Sequence, residues 1–414
     1  MSHDPSRRRV VVTGVAGFSP IGNDWSSVRI ALREGTSGVR LSPEFDGVTG
    51  LGTRLGGWVR AFAVPEHYPR KKMRTMGRVA QMATIATQRA LESAGLTDNS
   101  VLQSGRTGIS YGSTSGSPLA LEEYARQVLI QKSLKGVSPN SYIQLMSHTV
   151  AANLAQFFEI RGRVLSTCTA CTSGSQGIGY GYESIVGGRA DCMISGGAEE
   201  LHVVDAAVFD VLFATSTKNS EPARSPRPFD RARDGLVVAE GACTFVLESL
   251  EHAKSRGAPI LGEILGFATN CDGQHMTQPH AAGMEDVMRL ALADAGLSPS
   301  DVGYIGAHAT ATEVGDIAES AAMHAVFGPR AVTSSLKGHM GHTLGACGAL
   351  EAWFTLEMLR EGWIAPTLNL EDLDPRCAAL DYVQSRPRET RARIAMKNNF
   401  AFGGINTSII LTPW

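Results

Sequence analysis

The chain has 414 residues, 43% of them hydrophobic, enough to bury one very large core or two ordinary ones. Charged residues make up 19% and the net charge is −2, so no electrostatic case exists for nucleic acid. Seven scattered cysteines, an odd number, fit a reducing cytoplasm better than a disulfide framework, and no run of 18 apolar residues is present to span a membrane.

Residues Met1 to Arg9 carry basic side chains without an apolar leader segment, and lead into a buried strand, Val10-Val11-Val12, closed by Gly14. Trp25 to Arg33 reads as a helix stopped by Gly35. Arg70 to Arg78 is the densest basic stretch: either a solvated helix start or a landing site for an acidic partner. A helix follows, with apolar spacing Val79, Met82, Ala83, Ala86, Ala90. Arg106 to Gly112 is a strand. Glu122 to Leu129 and Tyr142 to Phe158 read as helices.

Arg163-Val164-Leu165 approaches Ser166-Thr167-Cys168-Thr169-Ala170-Cys171, and the small residues Ser173, Gly174, Ser175, Gly177 and Gly179 open a helix to about Val186. A cysteine at the start of such a helix meets free N–H groups and the positive dipole end, which favour thiolate. Cys171 is therefore a candidate nucleophile. A packed core thiol is the plain alternative, and Cys168 with Cys171 also makes a C-x-x-C that suits a redox pair or half a zinc site. No second C-x-x-C supplies the missing zinc ligands.

Asp191 to Gly197 and Ala242 to Glu248 read as strands around an irregular stretch, 216–234, and Glu251 to Gly257 as a short helix. From Ile260 the pattern restarts. Ile264 to Phe267 and Gly303 to His308 are strands, Met284 to Ala295 and Gly345 to Arg360 helices, and Ile394 to Met396 and Thr407 to Leu411 closing strands. Two similar βα halves, 8–258 and 259–414, suggest an α/β protein of duplicated lobes.

Three motifs lie in the second half. His308 ends a strand, with Thr310 and Thr312 on the same side after it. Lys337-Gly338-His339-Met340-Gly341-His342 precedes a helix of small residues. His339 and His342 have a metal-ligand spacing but no neighbouring carboxylate, so no metal is expected. Phe400, Ala401, Phe402, Gly403 and Gly404 make either a tight turn over core or a mobile lid. An activated thiolate, two histidines and a glycine turn with free N–H groups suit acyl transfer through a thioester, followed by carbon–carbon bond formation.

On these residues the sequence resembles the β-ketoacyl-acyl-carrier-protein synthases, the elongating condensing enzymes of the thiolase superfamily, and within them the synthase I/II and type II polyketide groups. Thr169-Ala170-Cys171, His308, Lys337 with His342, and the loop from Asn398 to Asn406 match the family's motifs in order, and Glu351 matches the glutamate paired with the lysine. The resemblance implies a five-layer αβαβα thiolase-like fold and a homodimer, or a heterodimer with a related ketosynthase-like subunit. It also implies substrates carried on the phosphopantetheine of acyl carrier protein, and no further cofactor. By resemblance Cys171 holds the acyl chain, His308 and His342 drive decarboxylation, and Lys337 orders the site through Glu351. The N–H groups of Cys171 and Phe402 would form the oxyanion hole, with Phe402 and Phe400 gating, and Gly403 and Gly404 supporting the loop. Thr310 and Thr312 would contact the pantetheine arm, Ser115 the acyl pocket, and Arg70, Lys71, Lys72 and Arg74 the carrier protein. The intact Cys-His-His-Lys set argues against the other reading, a non-elongating chain-length partner subunit. Ala309 and Ala401 replace glycines of the pattern, and a Cβ at a left-handed position would stiffen the lid.

Overall fold

The computed structural model describes residues 7–96 and 99–414. Its main sheet has eleven strands: β1 (Val10–Phe18), β2 (Thr107–Gly112), β3 (Val164–Thr167), β4 (Cys192–Glu199), β5 (Gly241–Ser249), β6 (Gly262–Cys271), β7 (Tyr304–Gly306), β8 (Val332–Ser334), β9 (Asp381–Tyr382), β10 (Ala395–Ala401) and β11 (Ile405–Pro413). Their order is β9-β8-β7-β10-β11-β6-β1-β5-β4-β2-β3. Within the sheet, the two halves join where Val10–Val12 of β1 pairs with β6.

Leaving out β9, the halves share one plan. In the first, β3-β2-β4 are parallel and β4-β5-β1 antiparallel. In the second, β8-β7-β10 are parallel and β10-β11-β6 antiparallel. Each half thus orders its strands third, second, fourth, fifth, first, which is the expected duplication. The apolar runs of β1 and β5 follow from it, since both faces of these strands are covered.

Five helices complete the layers: α1 (Arg78–Ser93), α2 (Ser173–Val186), α3 (Ala281–Ala295), α4 (Glu313–Phe327) and α5 (Cys347–Glu361). The central pair, α2 and α5, is buried on nearly every side. Ile178, Tyr182, Leu350 and Trp353 share one core with Phe245 of the first half and Phe267 of the second. The small residues of α2 permit this approach: a Cβ on Gly177 would stand 2.2 Å from the Gly196 carbonyl oxygen. Outside, α1 covers the first half with Val79, Met82 and Ala86, and α3 and α4 cover the second with Met284, Val287 and Met323. The result is the αβαβα arrangement.

Local expectations differ in places. The single helix expected over Tyr142–Phe158 is two, Pro139–Leu145 and Thr149–Phe157, the first capped by the Ser138 side chain with Pro139 at its first position. Glu122–Leu129 begins earlier, at Pro118, and relaxes into a π-turn over Arg126–Ile130. The strand before His308 stops at Gly306, so His308 sits on the irregular segment beyond it. Helices Val203–Val211 and α4 were not anticipated.

Candidate active site

Cys171 stands in a single 3-10 turn, Ala170–Thr172, between β3 and α2. Ala170 is left-handed, φ 49°, and Leu344 before α5 is left-handed in the same way, φ 45°. Both central helices thus begin on a strained corner that costs about 1–2 kcal/mol in an L-residue. The corner turns the Cys171 thiol onto His342, whose Nε2 lies 2.9 Å from Sγ. The reactive atoms of Cys171, His308 and His342 all lie within 4.8 Å of one another. The two imidazoles meet edge to face, 5.2 Å between centroids.

His308 is held from behind. Its backbone N–H and that of Ala309 donate to the Glu319 carboxylate, at 2.7 and 2.6 Å. Its Nδ1 faces the Lys337 ammonium and the Asn399 amide N–H, each at 3.2 Å. An ammonium has hydrogens and no acceptor, so Nδ1 must be the acceptor and the proton resides on Nε2, facing Cys171 and His342. Lys337 also bonds Glu351 Oε1 at 2.6 Å, both side chains being buried.

The electrostatics correct one expectation. The helix start was expected to favour thiolate, but burial pushes the Cys171 thiol up to about 12, against smaller opposing effects of Lys337 and of its own backbone N–H. Burial, then the charge of Lys337, holds both imidazoles well below their ordinary value. The resting pair is therefore a neutral thiol against a neutral imidazole. Burial also works against the Glu351 carboxylate, and Lys337 and Lys397 more than offset it, keeping Glu351 ionised.

These groups close one end of a cavity of about 420 Å³. Thr310 and Thr312 line its wall, their hydroxyls 3.0 Å apart, and Phe213, Met276 and Val314 stand exposed at its mouth. Phe402 packs on Phe209, 5.3 Å between centroids, and Phe400 meets His308 edge-on at 6.1 Å. The left-handed residues of this loop are Gly403 (φ 89°) and Gly404 (φ 70°), not Ala401. Neither Ala309 nor Ala401 is strained in this conformation; beside His308 the left-handed residue is Ala311. The loop is braced by Asn406 Nδ2 on Asp272 at 2.7 Å and by Gly403 N–H on the Met276 carbonyl at 2.7 Å.

Other sequence candidates fall elsewhere. Ser115 lies outside the cavity, its hydroxyl without a partner among the described residues. Arg70, Lys71 and Arg74 are exposed on the surface away from the cavity, and Lys72 is tied to Glu159 at 3.2 Å and the Phe157 carbonyl at 2.9 Å. His339 bonds the Pro366 carbonyl at 3.0 Å and does not join the cavity, so it is a packed histidine. Cys168 is exposed, its S–H on the Thr114 carbonyl. Glu319, Lys397, Asn399 and Cys347 were missed. Cys347 donates to the Cys171 carbonyl at 3.2 Å, and none of the four carries a sequence signal beyond its neighbours' motifs.

Glu199, the last residue of β4, accepts the N–H groups of Thr114 and Gly345, each at 2.9 Å. Burial still raises its carboxyl from the ordinary value to about 8. A carboxyl raised on folding stabilises the protonated form, so stability present at low pH is lost as pH rises from about 4.5 to about 8. Glu199→Gln keeps the acceptor without the charge. Its melting temperature is expected to exceed wild type at pH 8 by several degrees (about 1–2 kcal/mol at roughly 2 °C per kcal/mol) and to match it at pH 5. Parallel melting curves at both pH values would contradict this.

Two family descriptions cover the chain: "Beta-ketoacyl synthase, N-terminal domain" over residues 7–253 and "Beta-ketoacyl synthase, C-terminal domain" over 261–371. A 3-oxoacyl-[acyl-carrier-protein] synthase 2 of Vibrio cholerae is 38% identical over 413 residues, 98% of this chain and 99% of that protein. The crystal structure of a β-ketoacyl synthase from Burkholderia phymatum superposes with a TM-score of 0.96 at 50% identity, covering 98% of this chain and 100% of the other. The ishigamide ketosynthase/chain length factor structure superposes at 0.90 with 33% identity, covering 99% and 100%.

Proposed function

The chain belongs to the β-ketoacyl synthase family, and on that premise we propose how its residues divide the work. The enzyme is an elongating condensing enzyme: it joins a cysteine-bound acyl chain to malonyl-acyl-carrier protein by decarboxylative Claisen condensation and releases a β-ketoacyl-acyl-carrier protein two carbons longer. The substrates ride on phosphopantetheine, and no metal or other cofactor takes part.

In the first step the Cys171 thiol attacks the acyl thioester and gives up its proton as the carbon–sulfur bond forms. The tetrahedral oxyanion falls to the N–H groups of Cys171 and Phe402, and the departing pantetheine thiolate takes the proton. In the second, malonyl-carrier protein enters and its thioester oxygen is held by the Nε2 groups of His308 and His342. The carboxylate leaves as CO₂ and its bond electrons become an enolate. In the third, the enolate carbon attacks the Cys171 thioester; the carbon–sulfur bond breaks, and Cys171 takes up a proton. Lys337, through Glu351, holds His308 in the Nε2–H form, and Thr310 and Thr312 guide the arm. The observation that carries this reading is the convergence of Cys171, His308 and His342 within 4.8 Å at the closed end of the cavity. Intact-mass detection tests it. Acyl-carrier proteins with short, long and polyene chains should leave an adduct on Cys171, and malonyl-carrier protein should then release a chain longer by two carbons. No adduct with any chain would leave the partner-subunit reading.

Acyl carrier protein is the delivering partner. Arg70, Lys71, Lys72 and Arg74 would meet its acidic surface. The double variant Arg70→Glu/Lys71→Glu is expected to raise KM for the carrier substrate roughly tenfold at low salt, with kcat nearly constant and the difference shrinking at high salt. An unchanged KM would place docking on the apolar rim of Phe213, Met276 and Val314. A second ketosynthase-type subunit would cover the open edge of β3, where Val164 is exposed, together with the apolar Leu129, Ile130 and Tyr142. Residues 8–258 and 259–414 are taken as the two lobes, and Ser115 as part of an acyl pocket completed at that dimer face. No helix among the described residues is long and apolar enough to cross a membrane, and a cytoplasmic location suits a carrier-fed enzyme.

A further inference from the structure

Lys397 lies outside every motif the sequence suggests, yet it is buried beside the site, its side chain 1% exposed. Its ammonium bonds Glu351 Oε2 at 2.8 Å, the oxygen that Lys337 leaves free. It also donates to the carbonyls of Gly306 at 3.1 Å and Ala307 at 3.3 Å, and to that of Asn398. Gly306 and Ala307 immediately precede His308. One buried carboxylate is thus shared by two buried ammonium groups, and the second is anchored to the backbone that carries the histidine. Uncompensated charge in such a place is costly, so an excess cation persists only where the surroundings satisfy it. Four oxygen acceptors around three N–H donors do so here.

We propose that Lys397 is a positioning residue of the condensation, a second buried ammonium that shares Glu351 with Lys337, locks the Gly306–His308 segment, and keeps the potential beneath the two imidazoles positive while the enolate forms. The enolate part rests on the functional reading above; the positioning part does not. The groups facing Lys397 are Lys337 from the turn before α5, Glu351 and Cys347 from α5, Glu319 from α4, His308 and Asn399, while Asp316 from α4 acts on Lys337. His342 and Cys171 lie across the cavity. Burial holds Glu319 up at about 7 and Asp316 at about 6, so these carboxyls cancel only part of the two positive charges near neutrality. The ammonium repels a proton from His308 and His342, which must stay neutral to donate from Nε2 without being discharged by the enolate.

The test is Lys397→Gln, which retains a hydrogen-bond donor without charge, and Lys397→Met, which removes both. Imidazole protonation is followed by NMR of histidine-labelled protein, alongside decarboxylation of malonyl-carrier protein from pH 5.5 to 8. Removing the cation should ease protonation, so the imidazolium of His308 is expected to appear at a pH about one unit higher in both variants. Activity that needs neutral imidazole should then fail, as pH falls, at a pH about one unit higher than in wild type. Combined with Glu351→Gln, the effect of Lys397→Gln should shrink, because both act through one carboxylate. Histidine titrations unmoved in both variants would overturn the proposal, whether or not the protein turns over malonyl thioesters. Variants that shift as expected, in a protein whose wild type never acylates Cys171, would overturn the functional reading and leave the positioning role standing. Should Lys397→Met fail to fold, Lys397→Gln decides alone.

Discussion

Cys171→Ala is expected to abolish condensation, by on the order of 10⁴-fold or more, while leaving malonyl decarboxylation in place. Covalent capture of the acyl chain has no substitute: Cys168 faces the Thr114 carbonyl and Cys347 the Cys171 carbonyl, and neither thiol lines the cavity. The decarboxylating groups are separate. His308 takes its tautomer from Lys337 and Asn399, and its backbone from Glu319, none of which involves the thiol. Alanine at 171 removes little volume and leaves the left-handed corner at Ala170 unchanged. The measurement is a pair of assays: acyl adduct by intact mass, and CO₂ release from malonyl-carrier protein. Condensation above about 1% of wild type, or an acyl adduct elsewhere, would show that Cys171 is not the carrier.

The complementary change is His308→Ala. Acylation should persist within a few-fold, because the Cys171–His342 contact at 2.9 Å is untouched. Decarboxylation should fall by about 10² to 10⁴, the usual worth of one positioned proton donor. A stability cost accompanies it. The Lys337 ammonium and the Asn399 amide would each lose one acceptor but keep Glu351, at about 0.5–1.5 kcal/mol for each bond lost. Equal loss of acylation and decarboxylation would mean that His308 shapes the whole site and has no separate role in the second step.

These residues were legible in the chain because their chemistry is carried by short contiguous patterns. A thiol before a run of small residues, and histidines before glycine-flanked turns, announce themselves without knowledge of the fold. The duplication was legible for a related reason, because the βα alternation restarts near Ile260; the five layers came from the family resemblance, and the common strand order of the halves is seen in the structure. Lys397 was illegible. A lysine in Ala395-Met396-Lys397-Asn398 reads as the solvent face of a strand, and only burial of both faces turns it inward. Glu319 and Asn399 were hidden too, because each acts on a histidine 91 or fewer positions away, across an element boundary. The break near Met146 has no proline or glycine to signal it, and the first helix starts at Pro139, ahead of the expected Tyr142.

What the sequence by itself determined is the set of candidate reacting groups, their order along the chain and the duplicated α/β plan, since these depend on residue type and local spacing. The state of those groups was decided only by the tertiary structure. The dipole argument at the start of α2 favours a thiolate, yet enclosure between two half-sheets pushes the Cys171 thiol up to about 12. The alanine at 401 suggests a strained hinge, yet the left-handed turns fall on Gly403 and Gly404. Dipoles and backbone preferences act over one turn of chain and can be read there. Desolvation and ion pairing depend on everything packed around a group, which exists only once residues 171, 308, 337, 351 and 397 are buried together.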